Sequence, residues 1–200
     1  MKYFLTIPIL AVLILTGCSK ENSIVGPQQQ TQTTNQWIQI NHSSTLSVEN
    51  TYSASKTING NNGGTIDLPL KMFINNGHLA FVAASLKIPS HAFTGTKAIS
   101  FTVNTDCAGV DFSPAMTFSK NLSLDITFTG VDISGYDPSH LGFAYLDGTG
   151  IIPAQFVLLN ANILNGLLLV QGAQITHFSR YGWATIDGPL PQPINDGGSE

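Results

Sequence analysis

Beyond Trp37 the chain is written largely in alternating apolar and polar positions. Leu122, Leu124, Ile126 and Phe128 alternate with Ser123, Asp125 and Thr127. A period of two puts the four apolar side chains on one face of a half-buried strand. Ile99, Phe101 and Val103 alternate with Ser100 and Thr102, and Leu86 and Ile88 flank Lys87. Asn75-Asn76-Gly77 separates the runs Leu70–Ile74 and Leu79–Leu86, which predicts a tight hairpin turn. Asp147-Gly148-Thr149-Gly150 and Asn165-Gly166 read as further turns. Pro69, Pro89, Pro114, Pro138 and Pro153 suit strand ends or edges, because proline has no N–H to donate. Residues 160–170 suit either helix or strand, with Gly166 interrupting them. Eight to ten short strands without an amphipathic helix predict an all-β, antiparallel β-sandwich over residues 37–188. The Pro- and Gly-rich residues 189–200 predict a loose tail.

The first 36 residues follow other rules. Lys2 precedes an apolar run from Tyr3 to Leu15, followed by Leu15-Thr16-Gly17-Cys18. The run is too short to span a bilayer and ends in small residues, as a cleavage site requires. Leu-Thr-Gly-Cys has the form of a lipobox. Residues 1–17 are therefore expected to be a lipoprotein signal peptide. Cys18 is then the lipid attachment site, carrying palmitate-type acyl chains as a membrane anchor. Residues 19–36 are rich in Gln, Thr and Asn with no periodic apolar face, and predict a flexible tether. The expected location is the bacterial cell envelope, at the outer membrane or cell surface rather than the inner membrane.

Composition narrows the function. Only 10% of residues are charged, so Ser, Thr, Asn and Gln must cover the surface. Removing Lys2 takes the formal net charge from −4 to −5. With no basic patch, neither nucleic acid nor a polybasic hold on an anionic membrane is expected. Of the two cysteines, Cys18 goes to lipid, so Cys107 has no intrachain partner and is expected to be a buried, inert thiol.

Candidate chemistry is sparse. The sequence has no GxSxG, HExxH, CxxC or GxxxxGK[ST] motif. His42, His78, His91, His140 and His177 are dispersed without metal-ligand spacing, so no metal and no cofactor are expected. Asp132 with Asp137, and Asp106 with Asp111, read as turn hydrogen-bonding rather than catalytic pairs. Trp37, Tyr181 and Trp183 suit either an aromatic sugar platform or closure of the core ends.

Residues 174–183 carry one further possibility. As a strand, Ile175, His177, Ser179 and Tyr181 would share one face, and Thr176, Phe178 and Arg180 the other. Ser179 adjoins the Phe178 carbonyl, and His177 is two residues away. A hydroxyl, a base and a strained peptide would permit attack on that carbonyl, then hydrolysis of the ester. The alternative is that His177 and Ser179 satisfy each other's hydrogen bonds inside the sandwich.

His177-Phe178-Ser179-Arg180-Tyr181 resembles the closing motif of ZU-five-like domains of zona occludens proteins, netrin receptors and ankyrins. Gly63-Gly64, Ile88-Pro89-Ser90-His91-Ala92-Phe93, Phe112-Ser113-Pro114 and Phe118 fall in the family's order, over about residues 55–185. The resemblance implies a β-sandwich used for interaction and scaffolding. In some members it implies self-cleavage between Phe and Ser, here Phe178–Ser179, with Ser179 as nucleophile and His177 assisting. His91 departs from the pattern: the family usually has Gly there, and a positive φ suits His less well. The expected function is thus a lipid-anchored, non-enzymatic interaction or structural module, with a protein partner in the envelope. A self-cleaving domain and a carbohydrate-binding module are the alternatives.

Overall fold

The structure, a computed structural model, describes residues 35–40, 51–147 and 150–195. The expected signal segment (residues 1–17), Cys18, the expected tether as far as residue 34, residues 41–50 with His42, residues 148–149 and residues 196–200 lie outside the described residues. Twelve strands are present among the described residues: β1 (Gln36–Trp37), β2 (Thr51–Asn59), β3 (Gly64–Asn75), β4 (His78–Ile88), β5 (Thr96–Asn104), β6 (Gly109–Ser113), β7 (Thr117–Thr129), β8 (Leu141–Asp147), β9 (Gly150–Pro153), β10 (Leu158–Asn162), β11 (Leu167–His177) and β12 (Arg180–Thr185). They form two antiparallel sheets. One has five strands in the order β10-β11-β7-β4-β3. The other has seven, in the order β2-β5-β6-β12-β8-β9 with β1 also on β12. This is the expected all-β sandwich; the two-residue β1 and four-residue β9 bring the strand number to twelve.

Alternation sets which faces meet. Leu122, Leu124, Ile126 and Phe128 of β7 are buried, as are Ile99, Phe101 and Val103 of β5 and Leu86 and Ile88 of β4. These inward rows interdigitate between the sheets as one core. The β3–β4 hairpin turns through Asn76 and Gly77, both at positive φ (48° and 78°), with Asn75 paired to His78. Positive φ at both central positions matches the right-handed twist of the flanking strands, which is why Asn-Gly stands there. Pro69 sits where the β3–β4 register slips, on the sheet's edge strand, so no ladder bond is lost.

The ambiguous residues 160–170 resolve as the β10–β11 hairpin, with Asn162 paired to Leu167. Gly166 decides it: its φ is 55° and a Cβ would come within 2.4 Å of the Val131 carbonyl oxygen. Residues 174–183 are not one strand. β11 ends at His177 in the five-stranded sheet, and β12 begins at Arg180 in the seven-stranded sheet. The chain crosses the sandwich between them, which resets the facing, so Ile175, Phe178, Tyr181 and Trp183 are all buried. Beyond Thr185, Leu190 packs near Ile186, and the Ile194 N–H donates to the Phe156 carbonyl at 2.8 Å.

This packing predicts that Leu124→Ala will destabilise the domain by about 2–5 kcal/mol, from lost burial plus the cavity. Leu164→Ala, at a turn position 94% exposed, will stay within about 0.5 kcal/mol of wild type. Urea unfolding of the two variants checks both values.

Candidate functional site

The His177-Phe178-Ser179 corner is held from both sides. The Phe178 N–H donates to the Met116 carbonyl at 2.7 Å, and the Tyr181 hydroxyl donates to the His177 carbonyl at 3.1 Å. The Phe178 ring, 5% exposed, stacks on Phe112 at 4.9 Å and meets Phe118 edge-on at 4.8 Å. Tyr181 stands edge-on to Phe112 at 5.7 Å. The His177 ring lies edge-on to Tyr145 at 5.1 Å. Next in the chain, Arg180 holds Asp111 of β6 with Nε–Oδ1 at 2.9 Å and Nη2–Oδ2 at 3.2 Å. That two-pronged carboxylate contact raises the Arg180 pKa further.

At the corner the two candidate side chains are turned to other partners. His177 Nδ1 hydrogen-bonds the neighbouring Thr176 hydroxyl at 2.9 Å. The Ser179 hydroxyl points to the Arg180 carbonyl at 3.4 Å. The two side chains therefore bond neither as base and nucleophile nor as a mutually satisfied pair. Neither Phe178 nor Ser179 has a positive φ, and the peptide between them is not cis.

The segments that carry the family resemblance converge on this end of the sandwich. A Cβ on Gly63 would come within 2.3 Å of the Ile88 carbonyl oxygen, so only Gly allows that approach. The His91 N–H donates to the Gly60 carbonyl at 2.7 Å, and the Ser119 N–H to Ala92 at 2.8 Å. Phe112 and Phe118 meet on Phe178. His91 has φ 64°, so it occupies the left-handed conformation that the resemblance assigns to Gly.

The other candidates disperse. Tyr181 and Trp183 are fully buried, and Trp37 lies on the other face of β12 with Ala184, Ile186 and Leu190. The sugar platform is therefore overturned: alternation along β12 sends both aromatic rings into the core. Asp132 accepts the Ser134 N–H and hydroxyl, and Asp137 does the same with Ser139. Those hydroxyl bonds lower both carboxyl pKa values. The Asp111 carboxylate pairs with Arg180, and the Asp106 backbone N–H donates to Asn104 Oδ1 in the β5–β6 turn. Cys107 is a free, half-buried thiol in the β5–β6 turn; burial raises its pKa, opposed by the Arg180 charge. Among the described residues no His, Cys, Asp and Glu group could hold a metal ion.

The sequence reading missed the outer face of the five-stranded sheet. Toward the β2–β3 turn it is polar. There Lys87, Ser123, Asp125, Gln171 and Gln174 line an open groove of about 580 Å³. A bulge at Gly172 (φ 66°), whose N–H donates to Asp125 Oδ1 at 2.7 Å, gives the groove one wall. Toward the β3–β4 turn the same face carries more apolar side chains, on both sides of Thr127 and Thr129 of β7. Met72 and Leu79 are 58% and 55% exposed, and Phe81, Leu167 and Leu169 are half-buried but outside the core. The signal was present: residues 79–84 read LAFVAA and residues 167–170 read LLLV, apolar at both parities. Such runs ask for cover on both faces.

Two outcomes follow. Phe178→Ala will cost about 3–5 kcal/mol in urea unfolding, as a large buried aromatic is lost. Purified residues 19–200 will give a single full-length mass under denaturing conditions. A second species cut between Phe178 and Ser179, and abolished in Ser179→Ala, would contradict the geometry of the corner.

Comparison of the chain with protein-family models, with curated proteins and with solved structures found no match.

Proposed function

We propose that the chain is a lipid-anchored β-sandwich of the bacterial cell envelope, held through Cys18 and serving as a non-enzymatic interaction or structural module. The Leu15-Thr16-Gly17-Cys18 sequence supports the anchor. The observation that carries the module reading is how the side chains with catalytic potential are used. His177, Phe178 and Arg180 pack or pair at the sheet crossing, and Asp132 and Asp137 cap turns. What the domain offers to its surroundings is a broad, open sheet face, half polar and half apolar. That suits contact with a large surface better than enclosure of a small substrate. The ZU-five-like resemblance, with its scaffolding role, points the same way.

The test is fractionation of cells producing the full chain, fed a clickable palmitate analogue. The wild-type chain will be labelled and will sediment with membranes until detergent releases it. Cys18→Ser will lose the label. An unlabelled, soluble wild-type chain would overturn the anchor.

A further inference from the structure

The apolar half of the outer sheet face lies at the end of the sandwich where the chain enters. The 130–140 segment ties the parts of that end together. The Val131 N–H donates to the Gly166 carbonyl at 3.1 Å, beside the Ile163–Leu164 turn. Asn76 Nδ2 donates to Asp132 Oδ2 at 2.8 Å, which fixes the β3–β4 hairpin tip. The Gln39 N–H donates to the Tyr136 hydroxyl at 2.8 Å, just beyond β1. Leu164, 94% exposed, projects from this end, with Leu79 and Met72 on the adjoining sheet face.

We infer that this apolar surface, with Leu164 at its tip, rests on the lipid surface that holds Cys18, so that the domain lies against the bilayer in one orientation. The inference rests on the proposed lipid anchor. Seventeen residues, 19–35, separate Cys18 from β1 of the sandwich. Fully extended they reach roughly 60 Å, so the chain-entry end cannot leave the vicinity of the membrane. Confinement of that kind turns a weak apolar contact into an intramolecular one, with an effective concentration near the millimolar range. Exposed apolar side chains gathered at one end of a monomer, here on both sides of Thr127 and Thr129 of β7, mark a contact surface. The charged or titratable groups at this end include Asp132 and His78, the exposed Asp137–His140 pair of the 130–140 segment, and Lys71 further along β3. They do not form a basic cluster, so the contact should follow apolar burial and not require anionic lipid. The polar groove, at the opposite end of the same face, is left open to solvent or a partner.

The experiment uses the full chain, lipidated at Cys18 and reconstituted in phosphatidylcholine vesicles with or without brominated acyl chains. Leu164→Trp places an indole at the tip. Leu146→Trp places one at an exposed site near the far end of β8 and serves as the control. Emission is taken as the difference from wild type, and circular dichroism verifies the fold of each variant. The indole at 164 will be blue-shifted on vesicles and lose intensity to brominated lipid, while the indole at 146 will do neither. Equal insensitivity of both, in chains that float with the vesicles, overturns the orientation and leaves the anchor intact. A blue shift at 164 without bromine quenching, together with dimer sedimentation in detergent, assigns the surface to a second copy and also overturns it. A wild-type chain that fails to float overturns the anchor and the inference together.

Discussion

Closing two sheets over one core requires the chain to cross between them, and at the β11–β12 corner the crossing is secured by a single aromatic ring. Phe178 leaves the five-stranded sheet, inserts between Phe112 and Phe118, and hands the chain to the seven-stranded sheet. A buried phenyl group removes a large apolar area from water, and each well-placed ring pair adds about 0.5–1.5 kcal/mol. The flanking residues fix the turn around it. The Tyr181 hydroxyl reaches back to the His177 carbonyl, and Arg180 grips Asp111 across the β12–β6 pair.

From that corner the seven-stranded sheet takes its order. β12 pairs with β8 along one side, and with β6 and then β1 along the other. Gly182 makes this possible: a Cβ there would come within 2.9 Å of the Gly109 Cα. Tyr181 and Trp183 then fill the core against Phe143. The His-Phe-Ser-Arg-Tyr run is thus spent on joining sheets. A motif that elsewhere suggests bond cleavage here has its hydroxyl and imidazole turned to local partners.

The side chains of the corner are engaged in packing and pairing, and the open surface lies on the outer side of the five-stranded sheet. The two outer halves of the five-stranded sheet differ in kind, one a polar groove and the other an apolar patch next to the point of chain entry. With the proposed lipid anchor at Cys18, the half richer in apolar side chains would be the near end of this face and the polar half the far end.

By itself the sequence determined the class of fold, the strands with clean alternation, the Asn-Gly hairpin and the positions of the prolines. These are local: the side-chain period, the φ preference of Asn and Gly, and the missing N–H of proline act over a few residues. The Leu15-Thr16-Gly17-Cys18 motif behind the proposed anchor is local in the same sense. Tertiary structure decided the rest. Period two in residues 174–183 could not show that the chain changes sheets at Phe178, because that depends on Phe112 and Phe118, some sixty residues away. Nor could it show that Tyr181 and Trp183 face inward while Trp37 lies on the outer side. The Asn165-Gly166 turn was legible locally, but that residues 160–170 pair as strands on its two sides, with Gly166 close against Val131, was settled by tertiary contact. The two-part outer face emerged only when β3, β4, β7 and β11 lay side by side, since a surface patch is assembled from segments far apart in the chain.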